Sequence, residues 1–177
     1  LCMYIRTKTR KTVDGKIKKY AYLVLTKRRK RSKRHPKQKV AAYMGRVIEL
    51  NNHQQSTINN PKQSAKDTIK AMFIEILLAN GFAEAQKEMY YRGDIKVNLI
   101  NLVVKSVKTG QKLCLQVNDG LIARHTLKET VRYELPSGTE KDVGQDLAKK
   151  LLAAGLKPQK EAFLGLYYKI SKDFHRK

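Results

Sequence analysis

Between Lys27 and Lys39 the chain carries nine lysines and arginines and no acid: Lys27, Arg28, Arg29, Lys30, Arg31, Lys33, Arg34, Lys37 and Lys39. Cations at that density, with no carboxylate to neutralise them, suit a polyanion. Each can meet a phosphate oxygen in a charge-assisted hydrogen bond, and each contact releases counterions. A second set stands upstream, where Arg6, Lys8 and Arg10 alternate along "MYIRTKTR", and Arg46 follows in "YMGRV". Tyr4, Tyr20, Tyr22 and Tyr43 are interleaved with these charges. Tyrosine rings beside cations can stack on unpaired bases. They can also pair across strands and cover a thin sheet. A short meander has little core of its own, which favours the packing role.

Other chemistry finds less support. Neither GxxxxGK[ST] nor GxGxxG occurs, so no nucleotide loop is expected. His35, His53, His125 and His175 are scattered, and Cys2 and Cys114 are too far apart for a CxxC zinc site. The two thiols read as free cysteines in a reducing compartment. Asp94, Asp119 and Glu129 are candidate nuclease carboxylates, yet each has an ordinary place. Asp94 follows a glycine at a strand start, Asp119 lies in an Asn-Asp-Gly turn, and Thr126 with Glu129 caps a short helix. The expectation is a non-enzyme with no catalytic residue, metal or cofactor.

The elements that must hold the cations come next. Residues 3–48 read as a three-stranded antiparallel meander. "MYIRTKTR" alternates, Asp14-Gly15 signals a hairpin, "KIKKYAYLVLTK" is the second strand and "KVAAYMGRVI" the third. In the second strand Tyr20, Tyr22 and Val24 share a face; in the third, Val40, Ala42 and Met44 oppose Ala41 and Tyr43. The cation-rich run would then be the loop of a β-hairpin arm, with Pro36 barring a regular strand inside it. Residues 51–63, polar and Asn/Gln-rich, read as a linker.

Residues 64–177 read as an α+β domain. Ile69, Met72, Phe73, Ile76 and Leu77 recur at helical spacing behind a Ser64/Asp67 cap, and Asn80-Gly81 stops the helix. Residues 82–92 fit helix or strand. Residues 94–107 read as one strand, 112–117 as a second and 121–124 as a short third, with turns between. Helices follow from Thr126 through Tyr133, from Thr139 with Val143, Leu147, Leu151 and Leu152 on one face, and from Pro158 with Phe163, Leu166, Tyr167 and Ile170. The expected core is Ile69, Phe73, Leu77, Leu147, Leu151, Phe163 and Leu166. The fold class is therefore α+β: a small basic β-module over residues 1–50, a linker, and a domain with a small antiparallel sheet and three to four helices.

Charge divides the same way. The 177 residues carry a formal net charge of +23 with 41% hydrophobic residues, and residues 1–50 alone hold 17 cations against Asp14 and Glu49. Such a charge calls for a densely anionic partner, nucleic acid before a membrane surface. No secretory segment and no apolar run near the length of a membrane span is found. The expected location is the cytoplasm of an archaeal or bacterial cell, on the nucleoid, or the nucleus if the source is eukaryotic.

The first fifty residues also carry a family pattern: Tyr4-Ile5-Arg6, Asp14-Gly15-Lys16, the strand Tyr20 to Leu25, and Met44-Gly45-Arg46. Over residues 3–48 this resembles the N-terminal segment of insertion-sequence transposases of the DDE, RNase H-like class. The resemblance implies a DNA-end recognition part and double-stranded DNA as ligand. Residues 64–177 are too short for that family's catalytic core, so no catalytic residue carries over. The reading that follows is a non-enzymatic DNA-binding protein, with a homodimer through the C-terminal domain as a further expectation. RNA binding, on the ribosome or in RNA processing, is the alternative; a nuclease or recombination enzyme with an unrecognised carboxylate site is the second.

Overall fold

The computed structural model describes residues 2–27, 37–52, 62–136 and 139–174. The fold is α+β, with nine strands in two sheets and four helices among these residues. The strands β1 (Cys2–Lys11), β2 (Ile17–Lys27) and β3 (Lys37–Glu49) form the antiparallel meander expected of the first fifty residues. Its first turn closes where the Thr12 amide donates to the Lys16 carbonyl and the Gly15 amide to that of Thr12. Gly15 has φ +76°, the left-handed conformation a three-residue hairpin loop needs.

The meander does not end at Glu49 as a separate sheet. β3 runs parallel to β8 (Leu113–Val117), from Arg46 opposite Leu113 to Glu49 opposite Gln116. β9 (Gly120–Ile122) then pairs antiparallel with β8. Asn118 and Asp119 both have positive φ in the turn between them, the two-residue geometry favoured by Asn-Asp-Gly. The resulting sheet has the order β1-β2-β3-β8-β9. Asn51 and Asn52, at the start of the polar stretch, are tied down: the Asn51 amide donates to Asn80, and Asn52 accepts from the Asn118 amide. Residues 53–61 lie outside the described residues.

The second sheet is a meander, β4 (Ala83–Gln86), β5 (Met89–Arg92), β6 (Ile95–Asn98) and β7 (Val103–Ser106). One open reading of the sequence is decided here and one is corrected. Residues 82–92, which fit helix or strand, hold the two short strands β4 and β5, because Tyr90 and its neighbours pair with β4 and β6. The single strand expected over 94–107 is two strands joined by a turn at Leu99–Leu102. The Asn98 side chain accepts from the amides of Ile100 and Asn101, which folds the chain back.

The helices are α1 (Ala65–Ala79), α2 (Arg124–Val131), α3 (Glu140–Ala153) and α4 (Lys160–Phe174). Ser64 caps α1 as expected, accepting from the Asp67 amide. α2 departs from expectation: it starts at Arg124, the Thr126 hydroxyl accepts from the Ala123 amide, and Glu129 pairs with Lys150 instead of capping.

The main core joins one face of β8 and β9 (Leu113, Leu115, Val117, Ile122) to the helices and the second sheet. Ile69, Phe73, Leu77, Leu147, Leu151 and Leu166 are buried in it, whereas Phe163 is only partly buried. In α4 the four-residue repeat Ala162, Leu166, Ile170 points inward, so Phe163 and Tyr167 flank the stripe. In α3 Leu152 is exposed, because Val143, Leu147 and Leu151 already fill the inward line. A second, smaller cluster lies on the opposite face of the first sheet: Ala21, Met44, Val47, Cys114, Leu121 and Ala123, with Ile5 and Leu23 against it.

Candidate nucleic-acid interface

Register decides which side chains share a face of the meander. Arg6 stands opposite Tyr22, Lys8 opposite Tyr20, and Arg10 opposite Lys18. Across the next ladder Tyr22 stands opposite Tyr43 and Tyr20 opposite Arg46. Directly opposed residues point to the same side of a sheet, so one face carries all of these residues, with Tyr4 further along. Arg6, Lys8, Arg10 and Arg46 are exposed. Among the described residues, none of these four has a carboxylate within ion-pair distance.

Two irregularities in the β2–β3 ladder make this face. The partners of Ala21 and Tyr22 are Gly45 and Tyr43, leaving Met44 as an extra residue; those of Leu23 and Val24 are Ala42 and Val40, leaving Ala41 extra. Such bulges re-aim side chains. The strict alternation read for the third strand is thereby broken. Met44 goes into the small inner cluster, and Tyr43 stays beside Tyr22.

The tyrosines pack as a group. The Tyr22 and Tyr43 ring centroids are 5.6 Å apart and those of Tyr20 and Tyr43 6.4 Å, both pairs tilted. The Lys8 ammonium lies 5.9 Å from the Tyr22 ring centroid, at the limit of a cation–π contact. Burial, then the neighbouring Tyr20 and Tyr22, push the Tyr43 phenol above its ordinary pKa. It therefore stays a neutral hydrogen-bond donor across the physiological range. Cross-strand packing, the favoured sequence reading, describes these three rings. Tyr43 is nonetheless 44% exposed and Tyr4 36%, so ring surface remains for a ligand.

The other expected contacts divide. Lys27 and Lys37 are register partners at the last rung of the β2–β3 ladder. Lys39 is exposed but stands opposite Leu25, on the other face from Arg6 and Lys8. Arg28, Arg29, Lys30, Arg31, Lys33 and Arg34 lie outside the described residues.

One group of cations was not singled out in the sequence. Lys112, Arg124 and Lys128 border a hollow of about 220 Å³ beside Tyr43. They come from the bridge residue just before β8 and from α2, which are remote from the N-terminal charge in sequence. Arg124 and Lys128 stand four apart and therefore share a helix face, the one signal by which they could have been found.

The three candidate carboxylates, Asp94, Asp119 and Glu129, each have partners of their own. The Ser106 hydroxyl and the Lys108 amide donate to Asp94, at 2.6 and 2.7 Å, and these bonds hold its carboxyl below the usual range. Asp119 faces Lys157 at 3.4 Å. Glu129 and Asp146 meet Lys150 at 3.7 and 3.0 Å, and the Lys150 ammonium sits 4.8 Å from the Tyr133 ring centroid. These groups locking α2 to α3 border a larger cleft of about 650 Å³, whose apolar side includes Met3, Ile5, Leu23 and Leu121. Among the described residues no three His, Cys, Asp or Glu side chains are grouped to hold a metal ion.

No protein-family model matches the chain, and no curated protein or solved structure is detectably similar to it. Among the described residues no helix is long and apolar enough to cross a membrane.

Proposed function

We propose that this protein binds duplex DNA through the basic face of β1–β3, gripping phosphates with Arg6, Lys8, Arg10 and Arg46 and with the cations between Lys27 and Lys39. The observation that carries this reading is the unpaired state of the four described cations. A solvated face that served stability alone would gain from interspersed acids, and like charges gathered without them repel. Arg6 and Lys8 stand on the same strand two residues apart, a side-chain spacing of about 7 Å on an extended chain. That is close to the separation of successive phosphates on one strand, so the row can track a backbone. The resemblance of residues 3–48 to a transposase DNA-end segment supports a duplex partner over RNA.

The test is a salt titration of binding to unrelated duplex sequences. Changing Arg6, Lys8, Arg10 and Arg46 together to alanine should flatten the log–log salt slope by about 3 to 4 if all four contact phosphates. Affinity should fall by similar factors for each sequence, because phosphate contacts position without specifying. The thermal transition should hardly move, since all four side chains are exposed. Structured RNA that outcompetes duplex DNA would replace the ligand class. An unchanged salt slope would remove the face from the interface.

A further inference from the structure

The hollow beside Tyr43 combines features that the phosphate-gripping face lacks. Its apolar surface comes from Leu23, Ala42 and Met44. Lys112, Arg124 and Lys128 stand around it with His125, and no carboxylate lines it. None of the three cations has an ion-pair partner among the described residues. Arg124 is the first residue of α2, whose first turn holds no acid. A cation there opposes the helix dipole, and it stands four residues from Lys128, a spacing at which like charges repel. Stability does not explain this arrangement; an anion seated among the three would.

The volume limits what enters. About 220 Å³ is below the roughly 300–1,000 Å³ of sites for drug-sized ligands. It suits one planar group on an apolar bed with an anion at the rim. Leu23 and Ala42 lie on the face opposite Arg6 and Lys8, while Tyr43 borders the hollow from the basic face; a nucleotide swung out of the duplex around β3, which pairs with β8 only from Arg46 onward, is what can reach it.

We propose that the hollow is a subsite for a single unpaired nucleotide of bound DNA. The base lies on Leu23, Ala42 and Met44 against Tyr43, and the flanking phosphates meet Lys112, Arg124 and Lys128. This rests on the DNA-binding reading and deepens it: the preferred substrate is a duplex with a nucleotide out of the stack, as at a bulge or an end. Unstacked bases are the ones that aromatic and apolar platforms can reach.

The test compares two labelled duplexes of one sequence, fully paired and with one extra unpaired adenine, at fixed salt. The whole chain should bind the bulged duplex about tenfold more tightly, the effect of one base–aromatic contact. Ala42→Phe fills the apolar bed at an exposed strand position that tolerates an aromatic residue. It should abolish the preference and leave affinity for paired DNA unchanged. The triple change of Lys112, Arg124 and Lys128 to alanine should remove the preference and flatten the salt slope by about 2 to 3 on the bulged duplex. Equal affinity of the unaltered chain for both duplexes overturns the subsite and leaves the duplex-binding reading standing. So does a preference that survives Ala42→Phe in a protein with an unaltered thermal transition. Failure to bind either duplex overturns both.

Discussion

Gly45 and Lys112 meet backbone to backbone. A β-carbon built at position 45 would lie 2.6 Å from the Lys112 carbonyl oxygen, and Gly45 has φ +143°. The Arg46 amide donates to the same oxygen at 3.3 Å. This contact seats β3 against β8 and so joins the basic meander to the rest of the chain. Gly45→Ala should force the strands apart and strain the backbone, at a cost of about 1–3 kcal/mol. Chemical unfolding of the variant checks it; an unchanged midpoint would show that the junction relaxes freely.

Phe73 and Leu151 are buried in the main core at 0% and 1% exposure. Replacing either with alanine should cost about 2–5 kcal/mol, the transfer term plus the cavity left behind. Denaturant titration measures it. Phe163→Ala should cost less, because that ring is only partly buried.

Cys114, the register partner of Val47, is buried in the inner cluster, and burial pushes its thiol from 9.0 up to about 12. The folded state holds this proton more tightly than the unfolded chain. Its contribution is therefore fully present below pH 9 and declines as pH rises from there toward about 12. Unfolding free energy measured across that window should fall, and Cys114→Ala should make the fall shallower. In a Cys2→Ser background, a thiol reagent at pH 8 should react slowly with the native protein and quickly once urea unfolds it. Fast native labelling would place Cys114 at the surface.

The cation-rich stretch from Lys27 to Lys39 has its own expected effect. Changing Arg28, Arg29, Arg31 and Arg34 to alanine should flatten the salt slope by about 3 to 4 if all four meet phosphates. Loss confined to one DNA sequence would instead make this stretch a reader of bases, and the measurement is binding to several unrelated duplexes.

A fragment of residues 64–177 keeps all four helices of the described residues and the whole second sheet, so it is expected to fold. It loses the β3 partner of Leu113 to Gln116 and three members of the inner cluster, Ala21, Met44 and Val47. Its thermal midpoint should lie below that of the whole chain, and it should bind duplex DNA far more weakly. Equal affinity of the two would move the interface out of the first fifty residues.

Local patterns were enough for much of this architecture. The spacing of Ile69, Phe73 and Leu77, the Ser64 cap, Asp14-Gly15 and Asn118-Asp119-Gly120 are short-range signals, each set by a backbone preference or a helical period. They predicted most of the elements and, Phe163 apart, the helical part of the core. The same is true of the alternation that puts Arg6, Lys8 and Arg10 on one face of β1, because side chains of a strand alternate by geometry. What the sequence could not settle was whatever depends on partners far away in the chain. The extra residues Met44 and Ala41 in β3 appear only when that strand is laid against β2, and they decide where Tyr43 stands. The parallel pairing of β3 with β8 brings residues 46–49 to residues 113–116, and no local preference encodes a contact across so long a loop. The same long-range pairing carries Lys112 and α2 to the meander, so that Arg124 and Lys128 share a hollow with Leu23 and Ala42. Charge was legible as composition; its gathering around one apolar hollow is a product of tertiary structure, because only folding fixes distances between residues a hundred positions apart.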